Sequence, residues 1–128
     1  MRKKFTIIFL AFLLSFTIFD LVTSKSTATA KGSSVTWLNR GDKTNTTSRI
    51  TVKSGEKLSY YINVWDTNIQ FAIFKNGDMY VTGKVGPGVY DKVVSGAGPG
   101  EYSLRLYCGS RDNQKTGCYV PSAAISSK

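Results

Sequence analysis

The sequence predicts an all-β protein: one small antiparallel β-sandwich, jelly-roll-like, with about eight strands after a cleaved signal peptide. Three observations carry this expectation. Short runs rich in Val, Ile, Tyr and Trp recur through residues 31–128. Gly, Asn, Asp and Pro punctuate them at intervals of roughly 8–12 residues. No window of that region shows the helical apolar period of about 3.6 residues.

Met1–Lys4 (MRKK) is basic, Phe5–Phe19 is an uncharged apolar run, and Asp20 ends it. Ala28-Thr29-Ala30 then supplies the small residues of a cleavage site before Lys31. This is the three-part layout of a secretory signal peptide. The apolar run counts 15 residues, short of the ~20 that a membrane-crossing helix needs. The expected domains are residues 1–30, a signal peptide, and residues 31–128, a secreted β-sandwich, with no transmembrane segment after cleavage. The mature region has 98 residues, 13 basic and 7 acidic, for a net charge of +6.

Strands are expected at Ser34–Leu38, Ser48–Val52, Lys57–Trp65, Ile69–Lys75, Asp78–Lys84, Val89–Val94, Glu101–Cys108 and Cys118–Ala123. Lys31–Ser34 and Ser126–Lys128 are expected to fray. Ser54-Gly55 turns the chain between Val52 and Leu58. Asn76-Gly77 suits a type I′ hairpin, because that turn needs positive φ at both central residues. Gly86-Pro87-Gly88 and the segment Gly96–Gly100 break any helix and end strands.

Cys108 and Cys118 are the only cysteines. In an exported domain they are expected to form a structural disulfide. Glu101–Cys108 alternates, Gly109–Gly117 is polar with glycine at each end, and Cys118–Val120 is apolar again. The layout reads as a hairpin bridged at the base of its loop. Tyr107 then faces Tyr119, and Leu106 faces Val120.

Alternation assigns faces, since side chains on a strand point to opposite sides in turn. Leu58, Tyr60, Ile62 and Val64 point inward, as do Ile69, Phe71 and Ile73, and Tyr102, Leu104, Leu106 and Cys108. The outward set Tyr61, Trp65, Arg105, Tyr107 and Tyr119 is aromatic and basic, and forms the candidate binding face.

The stretch VKSGEKLSYYINVW, followed by IQFAIFKNGDMYVTG and GAGPGEYSLRLY, resembles the pre-peptidase C-terminal domains, small β-sandwich modules of secreted bacterial enzymes. The matching devices are Gly55 before a long strand, the Asn76-Gly77 hairpin, and Gly100-Glu101-Tyr102 leading into a late strand. The likeness spans about Ile50–Tyr107. It implies a sandwich fold and a binding or accessory role. Some members bind calcium through acidic clusters; this chain has no such cluster.

The composition excludes several chemistries. With no histidine, Ser-His-Asp and Cys-His nucleophiles and the common His-bearing zinc sites are ruled out. The mature acids are Asp42, Glu56, Asp66, Asp78, Asp91, Glu101 and Asp112. Most lie beside Gly or Asn, where Asp forms turns, rather than in catalytic pairs. No calcium-loop spacing is present. Arg40-Gly41-Asp42 reads as a turn, and Asn45-Thr46-Thr47 as an idle glycosylation acceptor in a chain whose composition looks Gram-positive bacterial. The basic residues are dispersed, which argues against nucleic acid and for attraction to anionic envelope surfaces.

The expectation is a secreted, non-enzymatic binding protein without metal or cofactor. Its target is a cell-wall polymer, a carbohydrate or another extracellular protein, with no nucleic acid. It is placed outside the cell or at the cell wall. The alternative is a small secreted effector, a bacteriocin-like toxin or enzyme inhibitor.

Overall fold

A run in which every second residue is aliphatic can bury that set only as a pleated strand. The computed structural model of the chain describes residues 32–128, which contain nine strands. The expected signal peptide and its cleavage site lie outside the described residues. The strands are β1 (Ser33–Leu38), β2 (Thr44–Thr46), β3 (Ile50–Val52), β4 (Leu58–Val64), β5 (Ile69–Lys75), β6 (Asp78–Val85), β7 (Gly88–Val94), β8 (Gly100–Cys108) and β9 (Val120–Ser127).

They form two antiparallel sheets. One has the order β1-β9-β4-β7; in the other β8 pairs with β2, β3 and β5, and β5 pairs with β6. The pairings nest: β1 with β9, β2 and β3 with β8, β4 with β7, β5 with β6. A long antiparallel hairpin rolled up on itself gives this order, which is that of a jelly roll. β2 and β3 are two halves of one edge element, both laid along β8. Counted so, the sandwich has the eight strands that the sequence predicts.

The hairpin expected between β8 and β9 is not formed. β8 is flanked on both sides in its own sheet, and β9 lies between β1 and β4 in the other. Val120 pairs with Leu38 rather than Leu106, while Leu106 pairs with Asn45 and Phe71. With both strands fully paired, the loop between the cysteines must cross from one sheet to the other. The disulfide Cys108–Cys118 is present, with Cα atoms 5.6 Å apart and both residues buried. It therefore staples the two sheets instead of closing a hairpin.

Two further boundaries differ. Thr44–Thr46 is a strand that carries no apolar alternation to announce it; its ladder to β8 holds it in place. Ser126 and Ser127 do not fray, because β9 runs through them. Lys128 N donates to Lys57 O at 2.9 Å, and Lys57 N donates back to Lys128 O at 2.8 Å. At the other end β1 begins at Ser33, and Ser127 N donates to Gly32 O. The Asn76-Gly77 turn is as expected: φ is 53° at Asn76 and 93° at Gly77, closing the Lys75–Asp78 pair.

The core lies between the sheets. Leu58, Ile62 and Val64 from β4 meet Phe71 and Ile73 from β5, Leu104 and Leu106 from β8, and Ile125 from β9. Tyr60 lies at its margin with its ring 5.0 Å from that of Phe71, and burial pushes its phenol above the ordinary 10.0. Tyr102 is fully buried, and its hydroxyl donates to the carbonyls of Ala97 and Gly98. That bond ties the Gly96–Gly100 segment to the start of β8.

Gly83 on β6 fits this core by lacking a side chain. A Cβ at that position would lie 2.6 Å from Phe71 Cε1. Phe71 is itself buried and cannot swing freely. Gly83→Ala is therefore expected to destabilise by about 1–3 kcal/mol through overpacking, read as a lower midpoint in urea at an unchanged slope.

Candidate functional site

The two sheets present different chemistry on their outer faces. On the four-stranded sheet the register places Val35, Ala124, Tyr61 and Asp91 in one row. The next row carries Ser122, Asn63 and Val89, and the row on the other side Ser33, Ser126, Ser59 and Val93. Trp37 lies between buried Thr36 and Leu38, opposite a bulge of β9 at Pro121-Ser122, and its ring is turned outward. The edges thus bear exposed apolar groups (Val35, Trp37, Val89, Val93), while the centre bears Tyr61 and small hydroxyl- or amide-bearing residues.

Trp65 extends this face just past the end of β4. It is 62% exposed, and its backbone N donates to Tyr119 O at 3.1 Å. The two rings meet edge to face, 6.1 Å apart at 65°. Arg40 backs Tyr119, with its guanidinium carbon 5.6 Å from the ring centroid. Its Nη2 lies 2.7 Å from Asp66 Oδ2, and its Nη1 donates to Gly117 O at 3.0 Å. Asp66 therefore holds an arginine. The Arg40-Gly41-Asp42 segment is the expected turn: Asp42 N donates to Asn39 O at 2.9 Å, and Asn39 N donates to Asp42 Oδ2 at 3.0 Å. With Arg40 engaged on both sides, this tripeptide is structural.

The structure divides the predicted aromatic and basic set. Tyr61 lies on the four-stranded sheet, with Trp65 just past the end of its β4 and Tyr119 just before the start of its β9. Arg105 and Tyr107 lie on β8, in the other sheet. Only a β8–β9 hairpin would set them beside Tyr119, and that hairpin does not form. Tyr107 has the outward position that alternation gives it, yet it is only 4% exposed. Thr44 and Gln70 are its neighbours across the ladder, and Arg111 N of the disulfide loop donates to Gln70 Oε1 at 2.8 Å. The crossing loop thus runs beside Tyr107, and this position offers no docking surface. Arg105 is exposed. Its Nε donates to Thr46 Oγ1 at 2.8 Å, and its guanidinium lies 5.8 Å from the Phe74 ring centroid.

Trp37 escaped the sequence reading although its signal was present. The alternation of Ser34–Leu38 sets Val35 and Trp37 on the side opposite Leu38. What the sequence lacked was the pairing of β1 with β9, which brings that side beside Tyr61.

Nothing among the described residues resembles a metal centre: no group of three or more Asp, Glu or Cys side chains could hold an ion. Four of the acids, Asp42, Glu56, Asp66 and Glu101, hold backbone or arginine partners. Glu56 Oε1 accepts from Lys53 N at 2.8 Å, and Glu101 pairs with Arg49 at 3.2 Å.

No family model and no curated protein matches the sequence. Solved structures place the chain among small all-β sandwiches. It is similar to the pre-peptidase C-terminal domain of a collagenase from Bacillus anthracis, at 18% identity and a TM-score of 0.50, over 75% of this chain and 87% of that one. The sandwich fold implied by the turn devices Gly55, Asn76-Gly77 and Gly100-Glu101-Tyr102 is therefore present. Lower likenesses, both at a TM-score of 0.42, are to PliG from Aeromonas hydrophila, a periplasmic inhibitor of g-type lysozyme (18% identity, 77% of this chain, 90% of that one), and to the CBM36-1 domain of a xylanase from the hindgut metagenome of Trinervitermes trinervoides (12%, 70% and 75%).

Proposed function

We propose that the chain is a non-enzymatic binding module, secreted and acting at the cell envelope or on extracellular glycans. The observation that carries this reading is the outer face of the four-stranded sheet, where Trp37 (48% exposed) and Trp65 lie at the margins of a field of Ser, Asn and Tyr. Indole rings stack on the C–H faces of sugars, and the half-buried Asn63, Ser122 and Ser126 offer donors and acceptors to hydroxyls, while Ser59 is buried beneath them and bonded to Ser126. The Cys108–Cys118 bridge supports an oxidising location. The signal-peptide pattern of residues 1–30 supports export.

Tyr61, Trp65 and Tyr119 remain in the proposed face, and Trp37 joins them. Tyr107 leaves it because it is covered. The test is binding to a panel of neutral glycans and purified cell wall. Trp65→Ala and Trp37→Ala are each expected to lower affinity about tenfold, a loss of ~1.4 kcal/mol, with unchanged melting temperatures since both rings are exposed. Absence of binding to every member of the panel, or full affinity in both variants, overturns the face.

A further inference from the structure

The outer face of the five-stranded sheet is a second, chemically distinct surface. Its register runs Thr46, Arg105, Ala72, Thr82 in one row and Thr44, Tyr107, Gln70, Lys84 in the next. Ala72 at the centre is fully buried, and two depressions open on this sheet. One, of about 400 Å³, is lined by Thr46, Arg49, Phe74, Ser103 and Arg105 among others. The other, of about 270 Å³, is lined by Gln70, Thr82, Gly83, Lys84 and Arg111. Each holds two cationic side chains.

The charges are largely unanswered. Among the described residues the ion pairs are Arg40–Asp66 and Arg49–Glu101. Arg105, Lys84 and Arg111 have no carboxylate partner among them. Arg105 is also pre-organised: Thr46 holds its Nε, and the Phe74 ring lies beneath its guanidinium. Its terminal nitrogens make no hydrogen bond within the described structure, in the planar fork that matches an oxyanion with two free oxygens. Arg105 on β8 and Lys84 on β6 are two strand spacings apart and one row out of line, which sets their backbones roughly 12 Å apart. A single small anion cannot answer both.

We infer that this face binds a linear, hydroxyl-rich extracellular polyanion, whose charge is carried on carboxylate or phosphodiester oxygens, with Arg105 as the principal contact. Arg49, Lys84 and Arg111 extend the contact across the sheet. Thr46, whose Oγ1 accepts from Arg105, donates its hydroxyl hydrogen to the polymer's hydroxyls. A nucleic acid fits less well. Single strands are bound by stacking bases on free rings, and the one ring in this depression, Phe74, lies under Arg105. The inference rests on the five-stranded sheet alone and does not depend on the glycan reading of the opposite face.

The test is titration calorimetry of the mature domain with oligogalacturonate, with poly(glycerol phosphate), and with a dT oligonucleotide. At least one of the first two is expected to bind, with affinity that weakens as salt is added, and the tighter of them identifies the oxyanion. Arg105→Ala is expected to weaken that binding at least tenfold with an unchanged melting temperature. Lys84→Ala is expected to weaken it about threefold. Lys92→Ala, an exposed cation on β7 of the other sheet, is expected to leave it unchanged. Failure of both polymers to bind at low salt overturns the inference, as does wild-type affinity in Arg105→Ala or tighter binding of the oligonucleotide. A loss in Lys92→Ala equal to that in Arg105→Ala also overturns it, since the attraction would then be one of net charge and not of this face.

Discussion

Reduction of the Cys108–Cys118 disulfide is expected to lower the unfolding free energy by about 3 kcal/mol, the loop-closure entropy of a span this short. In a domain of this size such a loss moves the melting temperature down by roughly 10–20 °C. The location of the bridge makes the effect global. β8 and β9 each have their full set of hydrogen-bonded neighbours, but in different sheets. The bridge adds a covalent tie between layers otherwise held by packing. Both residues are buried, so a Cys108→Ser/Cys118→Ser double variant loses the bridge and in addition buries two hydroxyls, and is expected to be no more stable than the reduced protein. Calorimetric melting with and without reductant measures the effect; coincident melts contradict it. No metal dependence is expected to appear in the reduced form.

Leu104→Ala is expected to cost about 2–5 kcal/mol, the range for emptying a leucine-sized site in a close-packed core. Leu104 is fully buried at the middle of β8 and is paired with Ile73 on β5. Its backbone is fixed on the opposite side too: Leu104 N donates to Thr47 Oγ1 at 3.0 Å, and Thr47 N donates to Leu104 O at 2.9 Å. The strand therefore cannot shift inward to fill the void. Chemical denaturation is expected to show a lower midpoint with the same slope. A loss under about 1 kcal/mol would mean that the sheets close over the gap, contrary to a core held rigid by ladders on both sides of β8.

The parts of the fold that were legible in the sequence are those fixed by local physics. Leu58, Ile62 and Val64 alternate because β4 is half-buried, and Asn76-Gly77 turns because those two residues accept positive φ at low cost. Pairing across the molecule was less legible. Cys108 and Cys118 are ten residues apart, and local alternation on either side fits a hairpin as well as a crossing. Only the placement of β5 beside β8 and of β4 beside β9 decides for the crossing. The same gap explains the candidate site. Parity identified Tyr61, Trp65 and Arg105 as outward, but parity does not say which sheet a strand joins. It also does not reveal that the disulfide loop runs beside Tyr107. Trp37 shows the converse: its outward orientation could be read locally, and its neighbours could not.

The proposed division of labour between faces sets exposed rings on the four-stranded sheet against Arg105, Lys84 and Arg111 on the other, which have no carboxylate partner among the described residues. It is tested most directly by binding of the mature domain to purified cell wall, measured in parallel for wild type, Trp37→Ala/Trp65→Ala and Arg105→Ala at low and high salt. The expected result is salt-insensitive loss in the tryptophan variant and, in the arginine variant, loss confined to low salt. Retention of full binding by both variants under both conditions contradicts it.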